Sequence, residues 1–332
     1  MAAENAILRY ESGQTPYPWE QLTDSGDRQT FEAANAPWSG RSGFEPNIRP
    51  YGLATGGAIT PGSGNDAVDV AALTAYMAGS SAAAGNGLVT VAAATGQTVS
   101  RGASTDTHRI TSVTVDASGA IALVAGTAAA GFSETRGAAG GPPSIPVGSI
   151  EVGQIRLSSI TAAAVKTSEI YQVVGLHQER YDFPVWEEDT ANGAVTFAEA
   201  LAAIHTGDVP KRVYATYATP VFATIPRATD WTPAETTHNL TSTPIYGGAV
   251  GSSAAAIQQA SFTAHLTDGI SDGFLALKNQ KLWIEFRPDR LKLLPKQLTQ
   301  GILGISRTFP AAGGITAACT LTPESGTIDV TG

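Results

Sequence analysis

Four segments near the C-terminal end of the chain carry apolar side chains at alternate positions. They span residues 261–266, 281–287, 301–307 and 315–321. Successive side chains of a β-strand point to opposite faces, so the pattern predicts strands with one buried face and one wetted face. The predicted buried positions are Phe262, Ala264, Leu266, Leu282, Ile284, Phe286, Ile315, Ala317, Cys319 and Leu321. The predicted outer positions are Ser261, Thr263, His265, Trp283, Glu285, Arg287, Thr316 and Thr320.

Further strands are predicted in the middle of the chain. Residues 109–115 and 120–125 flank the turn signal Asp-Ala-Ser-Gly and predict a hairpin. Segments 88–91 and 150–157 also read as strands, the first preceded by an Asn-Gly turn at 86–87. The Gly- and Pro-rich residues 137–148 predict a surface loop.

Helix signals occur at three places. Apolar side chains at helical spacing, after Asn65 or Asp66 as cap and before Gly79 as stop, predict a helix over residues 67–78. A Thr-x-x-Glu capping box at Thr196 predicts a second helix that ends at Gly207 and has His205 in its last turn. A short third helix is predicted after residue 271 or 272, with two apolar side chains inward and Asn279 as stop.

Composition changes along the chain and suggests three segments. Trp is absent between Trp38 and Trp186, and Lys is absent before Lys166. The interval in between is rich in Ala, Gly, Thr, Val and Ser. We therefore predict an N-terminal arm or part of the main domain over 1–53, a β-rich inserted or decoration module over 54–165, and a β-sandwich domain over 166–332.

Charge and composition argue against one class of function, the nucleic-acid binders, and are typical of another. The 332 residues have a net charge of −9, which argues against a protein that grips nucleic-acid phosphates. Charged residues make up 15% of the chain, against about 25% in typical soluble domains. Low charge with many small residues is common in proteins that pack against copies of themselves. The single cysteine, Cys319, is expected to be a buried structural thiol.

No residue pattern predicts catalysis, a cofactor or a metal site. The densest acidic cluster is Glu187, Glu188 and Asp189, and neighbours on a strand point apart, so a solvated or subunit-facing loop is the better interpretation. The five histidines lack metal-ligand spacing, and the Gly-rich stretch at 137–142 lacks the Gly-Lys-Ser/Thr ending of a phosphate loop. We expect no enzyme activity and no cofactor.

The order of the C-terminal strands resembles a known family. An alternating strand at 260–266 is followed by a short helix, an aromatic strand at 282–287, a Gly-rich strand at 301–306 and a Thr-rich last strand at 315–322. Over about residues 210–330 this resembles the major tail tube proteins of long-tailed, non-contractile (siphovirus-type) bacteriophages. The module around 60–165 does not align with the usual tube domain.

The resemblance implies a mainly β fold, a β-sandwich of tail-tube type with a flanking helix, plus the small β-rich module. It implies a structural virion protein of the tail, assembled in the host cytoplasm. Six subunits would form a ring, and stacked rings would form the DNA-ejection channel. The implied partners are other copies of the chain, the tape-measure protein and the tail terminator or tip proteins, while DNA passes the lumen without specific binding.

Two charged groups are the candidate contacts between subunits. The acidic group is Glu187, Glu188 and Asp189, and the basic group is Arg287, Arg290 and Lys292. We expect the two groups to pair between neighbouring subunits or rings.

Two other interpretations stay open. A phage receptor-binding or decoration β-protein would bind host surface glycan through exposed aromatic side chains and would stay a small oligomer. An enzyme on a β-scaffold, such as a glycan hydrolase, would need carboxylates that converge in a cleft.

Overall fold

The computed structural model describes residues 5–77 and 87–331, with the backbone only at 239–240, 249–250 and 252–254. Its fold is mainly β. The strands, in chain order, are β1 (Ile7–Gln21), β2 (Thr23–Asp24), β3 (Thr30–Glu32), β4 (Asn47–Pro50), β5 (Gly52–Gly56), β6 (Ile59–Pro61), β7 (Ala67–Val70), β8 (Leu73–Tyr76), β9 (Leu88–Val91), β10 (Ala94–Thr98), β11 (Arg109–Val115), β12 (Ile121–Ala125), β13 (Ile150–Leu157), β14 (Ile170–Tyr171), β15 (Trp186–Asp189), β16 (Ala194–Phe197), β17 (Val213–Thr224), β18 (Ala228–Thr232), β19 (Thr236–Ile245), β20 (Gly248–Ile257), β21 (Ala260–His265), β22 (Lys281–Arg287), β23 (Lys296–Thr308), β24 (Thr316–Pro323) and β25 (Ile328–Val330).

Within residues 5–77 and 87–331, helical structure is limited to three short 3-10 helices, Thr167–Glu169, Thr206–Asp208 and Gly273–Leu277. The last confirms the predicted short helix, because Phe274 and Leu277 are its buried side chains. The predicted helix over 67–78 is wrong, since β7 and β8 occupy its described part. Ala78 and Gly79, its predicted end, lie outside the described residues, as does Asn86 of the predicted turn.

The predicted helix that starts at Thr196 is also wrong. Thr196 lies inside β16, and the chain continues without a helix until Thr206–Asp208. His205 is therefore not in a last helical turn; it is buried, and its Nε2 lies 2.9 Å from the backbone oxygen of Ser149. A flanking helix, as the resemblance implies, has no counterpart among the described residues, where the longest helix has five residues.

The chain divides into two compact units. The C-terminal unit comprises residues 1–16, 37–46 and 217–332, and the central unit comprises residues 17–36 and 47–216. Residues 166–216, which composition assigns to the C-terminal domain, thus pack in the central unit together with 54–165. The first 53 residues contribute to both units.

Apart from the hairpin β19–β20, the strands of the C-terminal unit form an antiparallel sheet in the order β18-β21-β24-β23-β22-β1-β17, and β25 adds to β23. One face of this sheet carries the buried core, as the alternation predicts. Phe262, Ala264, Leu282, Ile284, Ala317, Cys319 and Leu321 are buried in one cluster, and Phe286 and Ile315 pack against it half-buried. Burial raises the pKa of the Cys319 thiol to about 12, which keeps it protonated and fits the expected structural role.

Two predicted outer positions are instead buried. Trp283 and Glu285 are each 1% exposed. Residues 37–46 cover this part of the second face: the Trp283 Nε1 donates to the backbone oxygen of Trp38 at 2.7 Å, and the Trp38 ring stacks on Tyr217 with centroids 5.0 Å apart. The second face is therefore covered at Trp283 and Glu285, while its part over β21, β24 and the end of β23 carries exposed residues.

The central unit contains four small antiparallel sheets, β5-β8-β9, β10-β7-β6, β12-β11-β13-β14 and β15-β16-β3-β2. The predicted hairpin at 109–125 and the strands at 88–91 and 150–157 are confirmed. The predicted surface loop at 137–148 is partly wrong, because residues 140–143 and Ile145 are buried. Aliphatic side chains of β5–β9, β11 and β13 form one core.

Candidate functional site

A buried ion cluster lies on the second face of the C-terminal sheet. The carboxylate of Glu285 on β22 forms ion pairs with three cations. The distances are 2.8 Å to Arg9 Nη1 of β1, 2.8 Å to Arg287 Nε and 3.4 Å to Lys296 Nζ of β23. Burial alone would raise the pKa of Glu285, but the hydrogen bonds from Arg287 and Arg9 and the charge of Lys296 outweigh it, so the pKa lies below the usual carboxyl value. The cluster joins three strands, and it pairs one of the predicted contact charges, Arg287, inside the subunit.

The part of the same face over β21, β23 and β24 carries small side chains. Gly304, Thr320 and Ser261 face one another across three strands, and so do Ser306, Ala318 and Thr263. A Cβ atom on Gly304 would lie 2.7 Å from Thr320 Oγ1, so glycine allows that close approach. The outer side chains of this patch are mostly exposed hydroxyl and methyl groups.

The hairpin β19–β20 pairs with no other strand of the described structure. Its register runs from Thr236 opposite Ile257 to Ile245 opposite Gly248, ten residue pairs and roughly 30 Å of ribbon. Residues 236–257 contain no Asp, Glu, Lys or Arg. At the tip, Tyr246 is fully exposed and Ile245 more than half exposed. An isolated two-stranded ribbon is only marginally stable in water, so this hairpin has the properties of an element that a partner covers.

The predicted basic group lies at the end of β22 and in the connection between β22 and β23. In the structure Arg287 and Lys296 turn to Glu285, whereas Arg290 and Lys292 are exposed. Two leucines, Leu291 and Leu293, are also largely exposed there. The loop thus presents apolar side chains beside two cations, a combination that its charge pattern alone did not reveal.

The acidic group lies on β15, the edge strand of its sheet, and not in the predicted loop, because its residues pair with β16. Glu187, Glu188 and Asp189 are exposed, and Asp189 accepts hydrogen bonds from the backbone N–H groups of Ala191 and Asn192. This group belongs to the central unit and the basic group to the C-terminal unit. Their predicted pairing between subunits stays a prediction.

The described residues contain no cluster of His, Cys, Asp and Glu that could hold a metal ion. The described part of the chain also has no helix long and apolar enough to cross a membrane. No protein-family model matches the sequence, and no curated protein matches it either.

Proposed function

We propose that the chain is a structural virion protein, the major tail tube subunit of a long-tailed, non-contractile phage. The single observation that carries the proposal is the uncharged hairpin β19–β20 with its exposed apolar tip. An element of this kind gains stability when another copy covers it, because burial removes its apolar side chains from water. The mainly β fold and the resemblance of the C-terminal strands support the same conclusion.

In this proposal six copies close into a ring, and the hairpin reaches a neighbouring copy or ring. Ring closure would pair the exposed edge strand β18, which a lone subunit leaves open to aggregation. The hydroxyl-rich patch on β21, β23 and β24 would face the lumen or a neighbour. The tape-measure protein would fill the lumen during assembly, and terminator and tip proteins would bind the two tube ends.

The net charge of −9 supports a channel that lets DNA pass without adhesion. The candidate contacts between subunits are Glu187, Glu188 and Asp189 with the exposed Arg290 and Lys292. Arg287 is the weaker candidate of the predicted basic group because its side chain is 14% exposed and pairs with Glu285 inside the subunit, whereas Lys292, which lies 3.9 Å from Asp289, is 68% exposed. The module within 54–165 would lie on the outside of the tube, where its bulk does not obstruct the channel.

Purified protein should form rings or tubes with a central channel in negative-stain electron microscopy. The physical reason is the uncovered hairpin, whose residues 236–257 have no charged side chain and can therefore pack against another copy without burying a charge. Only monomers at high concentration, with and without the tape-measure and tip proteins, would contradict the proposal. A small oligomer that binds host surface glycan and never polymerises would favour the receptor-binding alternative.

Shortening the hairpin should abolish tube formation and leave the subunit folded. His238 and Ala255 are partners in the register of the hairpin. Replacing residues 239–254 by Asn-Gly therefore joins these two positions by a favoured two-residue turn. No residue of the hairpin belongs to the described core of the C-terminal unit, so thermal unfolding should change little.

The matched control is Tyr246→Ser, which keeps the ribbon and removes the apolar ring at its tip. We expect tubes that form only at higher protein concentration, measured by sedimentation and microscopy. Tubes of normal length from the shortened variant would show that assembly uses other surfaces.

A further inference from the structure

The central unit contains a cavity of about 430 Å³, within the size range of small-molecule sites. Its walls are mainly apolar and include the buried side chains Leu201 and Ile204. Phe183 lines it as well and is itself more than half exposed. Phe183 packs directly over Gly175, where an added Cβ atom would lie 2.2 Å from the Phe183 ring and the backbone φ is +80°. A side chain at position 175 would therefore displace this wall.

Six charged side chains line the same cavity: Arg136, Glu151, Glu179, Arg180, Glu199 and Lys211. Arg180 pairs with Asp182, Glu199 is exposed, and Arg136 and Glu151 neutralise each other. Arg136 Nη2 donates to Glu151 Oε2 at 2.5 Å, and Arg136 Nη1 donates to the backbone oxygen of Pro143. Glu151 also accepts from Ser112 Oγ and from Gln154 Nε2. Burial raises the pKa of Glu151, and Arg136 opposes that shift. This pair is fully engaged in internal contacts and serves as part of the frame.

Lys211 is different because its ammonium group keeps unused donors. Its side chain is 7% exposed, and its one ion pair in the described structure is with Glu179 Oε1, at 3.3 Å from Nζ. The other carboxylate oxygen of Glu179 accepts the backbone N–H of Glu151 at 2.7 Å. An ammonium has three N–H donors, so Lys211 has capacity for a further acceptor, and Glu179 divides its negative charge between two partners. A buried cation with open donors at an apolar cavity favours an anionic acceptor.

We propose that this cavity binds a small amphipathic carboxylate, an unbranched aliphatic acid of medium length. Its carboxylate accepts hydrogen bonds from Lys211, and its hydrocarbon chain lies against Leu201, Ile204 and Phe183. The site goes beyond the tube proposal and is independent of it, since every residue of the cavity belongs to one compact unit of a single chain.

The test is isothermal titration of the full chain with decanoate, decylammonium and decanol, each below its micelle-forming concentration. We expect one decanoate per chain, bound at least tenfold more tightly than decylammonium. Lys211→Met should weaken decanoate binding at least tenfold and leave decanol binding unchanged. Lys211→Arg, which keeps the charge, should retain most of the decanoate affinity. Equal affinity for decanoate and decylammonium, or no decanoate binding, would overturn the proposal.

A second variant locates the site without changing any charge. Ala200 is an exposed lining residue, and Ala200→Trp places a large ring in the cavity. We expect decanoate and decanol to bind this variant at least tenfold more weakly, with unchanged urea unfolding. Ala200 makes no ion pair, so this variant tests the location of the site even if Lys211→Met fails to fold. Normal decanoate affinity in Ala200→Trp would place binding elsewhere on the protein and overturn the assignment.

Discussion

The substitution Ile284→Asp is expected to prevent folding of the C-terminal unit. Ile284 is fully buried in the core face of β22, between Tyr10 of β1 and Thr299 of β23 in the register. Losing the aliphatic side chain costs about 2–5 kcal/mol, and an unpaired carboxylate in an apolar core costs several more. The sum is comparable to the about 5–15 kcal/mol that stabilises a whole domain. Near-UV circular dichroism and urea unfolding measure the loss.

The matched control is Ser306→Asp. Ser306 lies on β23 in the same sheet, and its exposed side chain is on the opposite face. We expect this variant to keep its near-UV spectrum and to unfold within about 0.5 kcal/mol of the unmodified chain, as exposed substitutions usually do. A folded Ile284→Asp protein with the stability of Ser306→Asp would show that the strand register is wrong.

The C-terminal strands could be predicted from sequence because period two is the dominant signal there. The predicted core positions Phe262, Ala264, Leu282, Ile284 and Leu321 are all buried. The neighbours of Phe262, Ala264 and Leu321 on the wetted face are small and polar, so no other period competes with the alternation there. The hairpin at 109–125 was predictable for a second reason, since a turn signal separates two β-branched segments.

The helix predicted over 67–78 failed because two periods fit the same residues. Val70, Leu73 and Met77 have helical spacing, but Val68 with Val70 and Leu73 with Ala75 also alternate, and all five are buried. These residues form strands because β7 pairs with β6 and β10, and β8 pairs with β5 and β9. Short apolar segments of this kind leave the choice to tertiary contacts.

The capping box at Thr196 was misleading for a similar reason. A Thr-x-x-Glu pattern marks a helix start only where the chain is free to turn, and Thr196 pairs with Glu187 and Thr30 in a sheet. Phe197 then packs edge-on against Phe31, with ring centroids 5.6 Å apart. That contact joins positions 166 residues apart, which no local pattern reports.

The candidate surfaces were only partly predictable. The exposed acidic group on β15 was recognised from its composition. Glu285 lies on the second face as predicted, but it is buried there rather than wetted, because Arg9, at the other end of the chain, covers its charge. The one local hint was Trp283, a large apolar ring at a predicted outer position, which indicates that both faces of β22 are covered. The uncharged hairpin at 236–257 was visible as a segment without charges and was not recognised as a strand pair.

The substitution Glu285→Gln should destabilise the C-terminal unit by about 3 kcal/mol at neutral pH. Gln carries no charge, so Arg9, Arg287 and Lys296 would lose their common partner and repel one another. Breaking a buried ion pair costs about 3–5 kcal/mol, and the lower value applies because the three cations reach solvent. Urea unfolding at neutral pH measures the difference.

The same substitution should change how stability depends on pH. The pKa of Glu285 is lower in the folded state than in the unfolded chain, where a glutamate titrates near about 4.3. Its contribution is therefore complete above that value and is lost as pH falls through the folded pKa. In the unmodified protein stability should decline through this acidic range, and Glu285→Gln should show a smaller decline. The gap between the two proteins should thus narrow as the solution is acidified.

Glu324→Gln separates the effect of burial from the mere loss of one carboxylate. Glu324 pairs with Lys281 Nζ at 2.6 Å but is 65% exposed, so its removal should cost no more than about 1 kcal/mol. Both glutamates pair with cations of the same sheet, and they differ in burial and in the number of partners. If Glu285→Gln and Glu324→Gln had equal free energies of unfolding from acidic to neutral pH, the buried Glu285 cluster would stabilise the unit no more than an exposed ion pair does. A large effect confined to Glu285 would instead establish that this carboxylate holds Arg9, Arg287 and Lys296. In the connection between β22 and β23, Arg290 and Lys292 would then be the cations available to another copy.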